Sequence, residues 1–248
     1  MMEKSQTLTD HLKELRVRLI RSGWAILIVA AVAYNFSEQL FDILRLPAQK
    51  FLPQGGLVFT HPTDKFMAHL KIAIFAGIGL SCPVWLYQLW AFVAPGLYQK
   101  EKKYAGLFIS SGSFLMITGI CFCYFMVLPP AFEFLFNFGG SVDKPMITIS
   151  EYLGFVVQMS LMFGVAFQLP LVLVLLGLAG IVTAQFLRKQ RRIAYFILGI
   201  ASAILTPTPD ALSMFMMLMP MIVLFEIAIF LVAAVEKKAT SEETSTQT

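Results

Sequence analysis

Two carboxylates stand out because of what surrounds them. Glu14 lies in His11-Leu12-Lys13-Glu14-Leu15-Arg16, and Glu101 in Tyr98-Gln99-Lys100-Glu101-Lys102-Lys103. Both contexts are strongly basic. A carboxylate accepts a planar guanidinium through forked, charge-assisted hydrogen bonds, so two such groups could hold paired arginines of a ligand. Charge pattern alone favours a simpler account, in which each glutamate balances its basic neighbours, because surface ion pairs are common and weak. Three further polar residues fall at membrane depth: Gln168, Asp210 and Glu226. An ionisable group in lipid costs ~3 kcal/mol or more and is usually paired or functional. Glu226 reads equally well as a contact between helices, and Asp210 as a helix N-cap.

Other site chemistry finds no matching pattern. There is no H-E-x-x-H, no Walker loop and no G-x-S-x-G. His11, His61 and His69 are scattered, and the last two are too far apart to share a metal on one helix. Cys82, Cys121 and Cys123 are odd in number and lie in apolar runs, so no disulfide framework is expected. Cys121 and Cys123 are two apart and do not share a helix face. The reading is therefore not an enzyme, with no cofactor and no metal. The net charge of +4 invites a nucleic-acid partner, but the basic residues sit at the ends of apolar runs, where a membrane protein places them.

The elements that position these residues are set by hydropathy. The chain is 58% hydrophobic and only 14% charged, with mean hydropathy +0.75. A soluble chain carries about 25% charged residues. Charge-free runs extend from Ile72 to Gln99, Tyr104 to Phe132, Tyr152 to Leu187 and Ile193 to Pro209. Each spans or approaches the ~20 residues that carry a helix across a ~30 Å hydrocarbon core. Backbone groups in lipid must pair within their own segment, so the expected class is an all-α integral membrane protein. Six spans are predicted, at about Val17–Phe36, Met67–Val93, Tyr104–Leu128, Tyr152–Gly177, Ile193–Thr206 and Ala211–Val235. They form one domain, 1–236, followed by a disordered Ser/Thr/Glu-rich tail, 237–248.

Orientation follows the distribution of Lys and Arg. One side holds Lys4, Lys13, Arg16, Arg18 and Arg21, then Lys100, Lys102 and Lys103, then Arg188, Lys189, Arg191 and Arg192, then Lys237 and Lys238. The other holds Arg45, Lys50, Lys65 and Lys144, while Lys71 lies one turn inside the second span and can snorkel outward. Both termini are thus expected in the cytoplasm. Ala31-Val32-Ala33 resembles a signal-peptide cleavage site, but the amphipathic stretch before it favours a first span that is retained. The outer loop Ser37–Phe66 is expected to be helical near Glu38–Leu44, and a second outer loop is expected to run from Pro129 to Glu151. Pro83, Pro170 and Pro220 interrupt spans and should kink them. The fifth span is short, ~21 Å at 1.5 Å per residue, so the bilayer beside it is expected to thin.

Several of these stretches together resemble a known family. His11-Leu12-Lys13-Glu14-Leu15-Arg16-Val17-Arg18 is similar to the N-terminal signature of TatC, the multispanning subunit of the twin-arginine translocase. The run from Pro83 through Trp85, Trp90, Phe92, Pro95, Gly96, Leu97 and Tyr98 to Glu101 resembles its longest motif. Gly164-Val165-Ala166-Phe167-Gln168-Leu169-Pro170, Leu205-Thr206-Pro207 through Asp210, and Leu224-Phe225-Glu226-Ile227 resemble further signatures. The matches run in order from about His11 to Phe230.

The resemblance implies a concave, cupped six-helix bundle in the cell inner membrane. It implies a receptor for twin-arginine signal peptides of folded cargo, exported by the proton-motive force. Carried over, Glu14 and Glu101 bind the arginine pair, with Arg16, Phe92, Pro95 and Leu97 shaping the site. Implied partners are TatA- and TatB-type single-span proteins and further copies of the chain, all within the lipid bilayer. Two residues depart from the family pattern: Gln168 stands where a glutamate is common, and Met214 where a glutamine often occurs. A glutamine exchanges hydrogen bonds but carries no charge, which weakens any carry-over of a polar partner-contact cluster at Gln168, Asp210 and Glu226. The competing class is a secondary transporter of a small solute, which would show repeated halves and midplane polar groups at broken helices. No such repeat is evident.

Overall fold

A computed structural model describes residues 8–49, 57–93, 105–137, 147–207 and 210–246. These residues are overwhelmingly helical. The opening helix α1 (Leu8–Tyr34) joins the amphipathic tail and the first apolar run without a break. It is followed by α2 (Ser37–Arg45), which a 3-10 turn, Leu46–Ala48, extends. Next come α3 (Asp64–Leu80) and α4 (Cys82–Val93). They form one apolar column bent by 52°. Pro83 explains the bend, since its ring and missing N–H disrupt the preceding turn. The Trp85 indole donates to the Ile78 carbonyl across the break at 3.1 Å.

The third column departs from the sequence expectation. α5 (Ala105–Phe122), a π-helical turn over Cys123–Val127 and α6 (Leu128–Asn137) form one helix of 33 residues. Pro129-Pro130, expected to open a loop, lies inside it. The wide π turn sits directly before the two prolines, and a proline is tolerated where its missing donor has no helical acceptor to serve. The fourth column is α7 (Ile149–Ala166) and α8 (Leu169–Leu178), with a turn at Phe167-Gln168 between them. Pro170 falls in the first turn of α8. A Schellman motif closes α8: Ile181 N donates to Leu176 O and Gly180 N to Gly177 O, each at 3.0 Å. Gly180 takes the left-handed φ of 69° that this motif demands.

The last columns are unequal. α9 (Ala184–Lys189) is a short elbow capped by Thr183. α10 (Arg191–Leu205) has 15 residues, or ~22 Å, and stops at Thr206-Pro207. α11 (Ala211–Thr246) runs through Pro220 as one helix and continues past Lys237, where the sequence reading begins a disordered tail. Alanine, lysine and glutamate dominate the first part of that extension, and all three favour helix. Among the described residues, four helices are long and apolar enough to cross a membrane, or five if the bent α3–α4 pair is one span.

Packing links the columns in a row. α1 packs on α3 and α4, α3 on α7, α5 on α4 and α7, α8 on α11, and α11 on α10. Small residues permit the closest approach. A Cβ on Gly77 would lie 2.8 Å from Ala30 Cβ and 2.9 Å from Ile26 O, so α1 and α3 meet where neither has bulk. Trp24, Leu27 and Ile28 of α1, and Phe196, Ile197 and Ile204 of α10, are exposed, as lipid-facing residues must be.

At the end of the bundle opposite the start of α1, two connections are stitched together. Val58 N donates to Ile147 O at 3.0 Å and Ile149 N to Val58 O at 2.8 Å, an isolated parallel bridge. Tyr124 OH and Tyr152 OH donate to the Ile43 and Leu44 carbonyls, each at 2.7 Å, and so satisfy the open end of α2. Lys71 Nζ donates to Ser150 Oγ at 3.2 Å, which ties α3 to the start of α7.

Candidate functional site

Glu14 stands near the start of α1, four residues before Arg18 on the same helix face. Arg18 Nε donates to Glu14 Oε1 at 3.0 Å, and Arg18 Nη2 donates to the same oxygen. Both side chains are partly exposed, 25% for Glu14 and 20% for Arg18. They line an open hollow of about 320 Å³ together with Lys13, Val17 and Arg21. Ser22 Oγ donates to the Arg18 carbonyl at 3.0 Å. The hollow thus combines one acidic group with three cations and a single apolar side chain, Val17. A cationic ligand can engage it only at the carboxylate, by displacing or joining the guanidinium already there.

The other expected receptor residues are distributed unevenly. Arg16 is exposed and lies about 200° round the helix from Glu14, outside the hollow. Phe92 is half-buried at the end of α4. Its level follows from the antiparallel packing of α1 on α3. Gly77 meets Ile26 and Ala30, and Phe92 is as far beyond Gly77 as Glu14 is before them. Phe92 and Glu14 therefore sit at the same end of the bundle. Glu101, Pro95 and Leu97 lie outside the described residues.

The polar residues expected at membrane depth do not form one cluster. Gln168, in the turn between α7 and α8, is 7% exposed. Its Nε2 donates to the Gly112 carbonyl on α5 at 3.0 Å, and its Oε1 is buried without a hydrogen-bond partner. Gly112 admits it closely, since a Cβ there would lie 3.3 Å from that Oε1 and 2.6 Å from Leu86. Asp210 caps α11, with Ser213 N donating to Oδ1 at 2.7 Å. Glu226 joins α11 to α10: Arg191 Nη2 donates to Oε2 at 2.6 Å and Tyr195 OH to Oε1 at 2.5 Å. Asp210 and Glu226 are ~24 Å apart along one helix.

Four partners escaped the sequence reading, and only the first had a local signal. Arg18 was legible as the i,i+4 neighbour of Glu14. Arg191 and Tyr195 are 35 and 31 residues from Glu226, and no local spacing links them. Glu236, which accepts the Ala184 N–H at 2.9 Å and pins the α9 elbow to α11, gave no signal at all.

Comparison with known proteins agrees with this architecture. The family model for Sec-independent protein translocase protein (TatC) matches residues 10–220. Sec-independent protein translocase protein TatC of Carboxydothermus hydrogenoformans is 39% identical over 98% of this chain and 99% of its own length. That of Desulforapulum autotrophicum is 38% identical over 97% of this chain and 89% of its own. A crystal structure of the twin arginine translocase receptor TatC superposes with a TM-score of 0.77 at 36% identity. It covers 90% of this chain and 97% of that one. A second, in DDM, gives 0.78 at 34%, covering 89% and 98%.

Proposed function

This chain belongs to the TatC family of Sec-independent protein translocase proteins, and on that premise we propose a residue-level account of how it reads its cargo. It is the receptor subunit of the twin-arginine translocase, a multi-pass helical membrane protein. Glu14 and Glu101 take the two guanidiniums of a twin-arginine signal peptide. Arg16, Phe92, Pro95 and Leu97 shape the surface around them. Lysine signals bind poorly because an ammonium offers a point charge where the carboxylate rewards a planar fork.

One observation carries this reading of Glu14. Its carboxylate already receives a guanidinium through both Nε and Nη2 on the wall of an open hollow. A guanidinium is therefore a geometrically suitable partner for that carboxylate, once Arg18 gives way.

The remaining architecture follows the same premise. α10 is the fifth of six spans, shorter than the usual core, with the bilayer thinned beside it. The Lys and Arg bias puts both termini in the cytoplasm and the protein in the inner membrane. TatA- and TatB-type single-span proteins and further copies of the chain complete the complex, and the proton-motive force drives export without hydrolysis by this subunit. The three polar residues expected at membrane depth are engaged within the chain: Gln168 is buried against Gly112, and the Asp210 and Glu226 carboxylates bond to Ser213 N and to Arg191 and Tyr195. Family membership leaves the small-solute transporter reading without support.

The test is photo-crosslinking of a signal peptide to membranes that carry the full chain. Crosslinking is expected with an Arg-Arg peptide, to fall with Lys-Lys, and to fall with Glu14→Ala or Glu101→Ala. Equal yields in all four cases would mean that the two carboxylates only balance local charge.

A further inference from the structure

We propose that Arg18 is an internal stand-in for a ligand arginine on Glu14, and that it sets the affinity of the receptor site. The inference rests on the reading of Glu14 as a signal-binding carboxylate. Arg18 is chemically the same group as the ligand's recognition element. It sits at the i,i+4 position that holds it on the Glu14 face of α1, and two of its nitrogens converge on one carboxylate oxygen. A peptide arginine that uses Oε1 has to displace it.

The pair is strong enough to matter and weak enough to yield. Both side chains are reached by water, and an exposed i,i+4 pair of this kind is favoured only about twofold. Arg18 also adds to the positive charge of a hollow that Lys13 and Arg21 already line, so it repels a doubly cationic ligand over a short, salt-screened range. Displacement and repulsion act in the same direction. Each lowers affinity for the signal peptide, which favours release of cargo after recognition.

The experiment measures binding of a fluorescent Arg-Arg signal peptide to the full chain in nanodiscs, at low and high salt. Arg18→Gln should tighten binding about two- to fivefold at low salt, and about twofold at high salt, where repulsion is screened. Arg18→Lys keeps the charge but loses the fork, so its gain should be smaller than that of Arg18→Gln. In a Glu14→Gln background the high-salt gain should vanish, because nothing remains to be displaced. Unchanged or weaker binding by Arg18→Gln overturns the proposal, as does a high-salt gain that survives without Glu14. If Glu14→Gln alone leaves Arg-Arg binding intact, the receptor reading of Glu14 itself fails. That result is separable from an Arg18 that plays no part on a functional Glu14.

Discussion

Replacing Glu226 should loosen α10 from the bundle while the rest of the protein stays folded. α10 has 15 residues and packs chiefly on α11. Beyond apolar contact, including the Tyr195–Phe225 ring pair at 5.9 Å, its hold is the Glu226 carboxylate with Arg191 and Tyr195. A hydrogen bond to a charged group contributes about 1.5–3 kcal/mol when shielded. Arg191 is 44% exposed, so its share is discounted to about 0.5–1 kcal/mol, and the better-sheltered Tyr195 bond adds about 1 kcal/mol. Glu226→Ala should thus lower the opening free energy of α10 by about 2 kcal/mol, which is roughly 30-fold faster amide exchange. Glu226→Gln keeps an acceptor for Tyr195 and should cost about half as much. Hydrogen exchange by mass spectrometry, on the full chain in nanodiscs, compares peptides from α10 with those from α7. Unchanged α10 exchange in Glu226→Ala would refute the assignment of Glu226 as the tie. Equal acceleration in α7 would show that the damage is global.

Two further outcomes follow from the packing. Gly77→Ala should destabilise by about 1–3 kcal/mol, because its Cβ would lie within 3 Å of Ala30 Cβ and the Ile26 carbonyl, neither of which can rotate away. Thermal unfolding in detergent measures it, and a melting temperature equal to wild type would contradict the close α1–α3 approach. Gln168→Leu should change stability by less than about 1.5 kcal/mol, since it removes an unpartnered Oε1 along with the Gly112 bond at similar volume. Gln168→Ala should cost more by leaving a cavity. The reverse order, read by the same melts, would mean that the polar bond outweighs packing there.

How much was legible varies with the range of the interaction. The long apolar columns, the bend at Pro83, the short fifth helix and the Asp210 cap all depend on residues within a few positions of one another. Hydrophobicity over a ~20-residue window, a missing proline donor and a capping oxygen act locally, so a reading of consecutive residues captures them. Pro129-Pro130 shows where local reasoning fails. Two prolines read as a loop, yet the π turn over Cys123–Val127 carries the helix on to Asn137. Nothing in the pair itself announces the turn that accommodates it.

Chain order, charge distribution and motif pattern determined that this is a helical, multi-pass member of the TatC family, with acidic groups set in a basic face. Only the tertiary structure decided what each polar group bonds. It gave Gln168 a buried tie to Gly112 and Glu226 a bridge to Arg191 and Tyr195. The Glu14–Arg18 pair and the separate face of Arg16, by contrast, follow from the periodicity of α1 alone. The physical reason is that membrane insertion rewards the summed hydropathy of a segment, whatever its neighbours. A hydrogen bond or ion pair depends on distances of a few ångströms between helices far apart in sequence, and those distances exist only once the helices have packed.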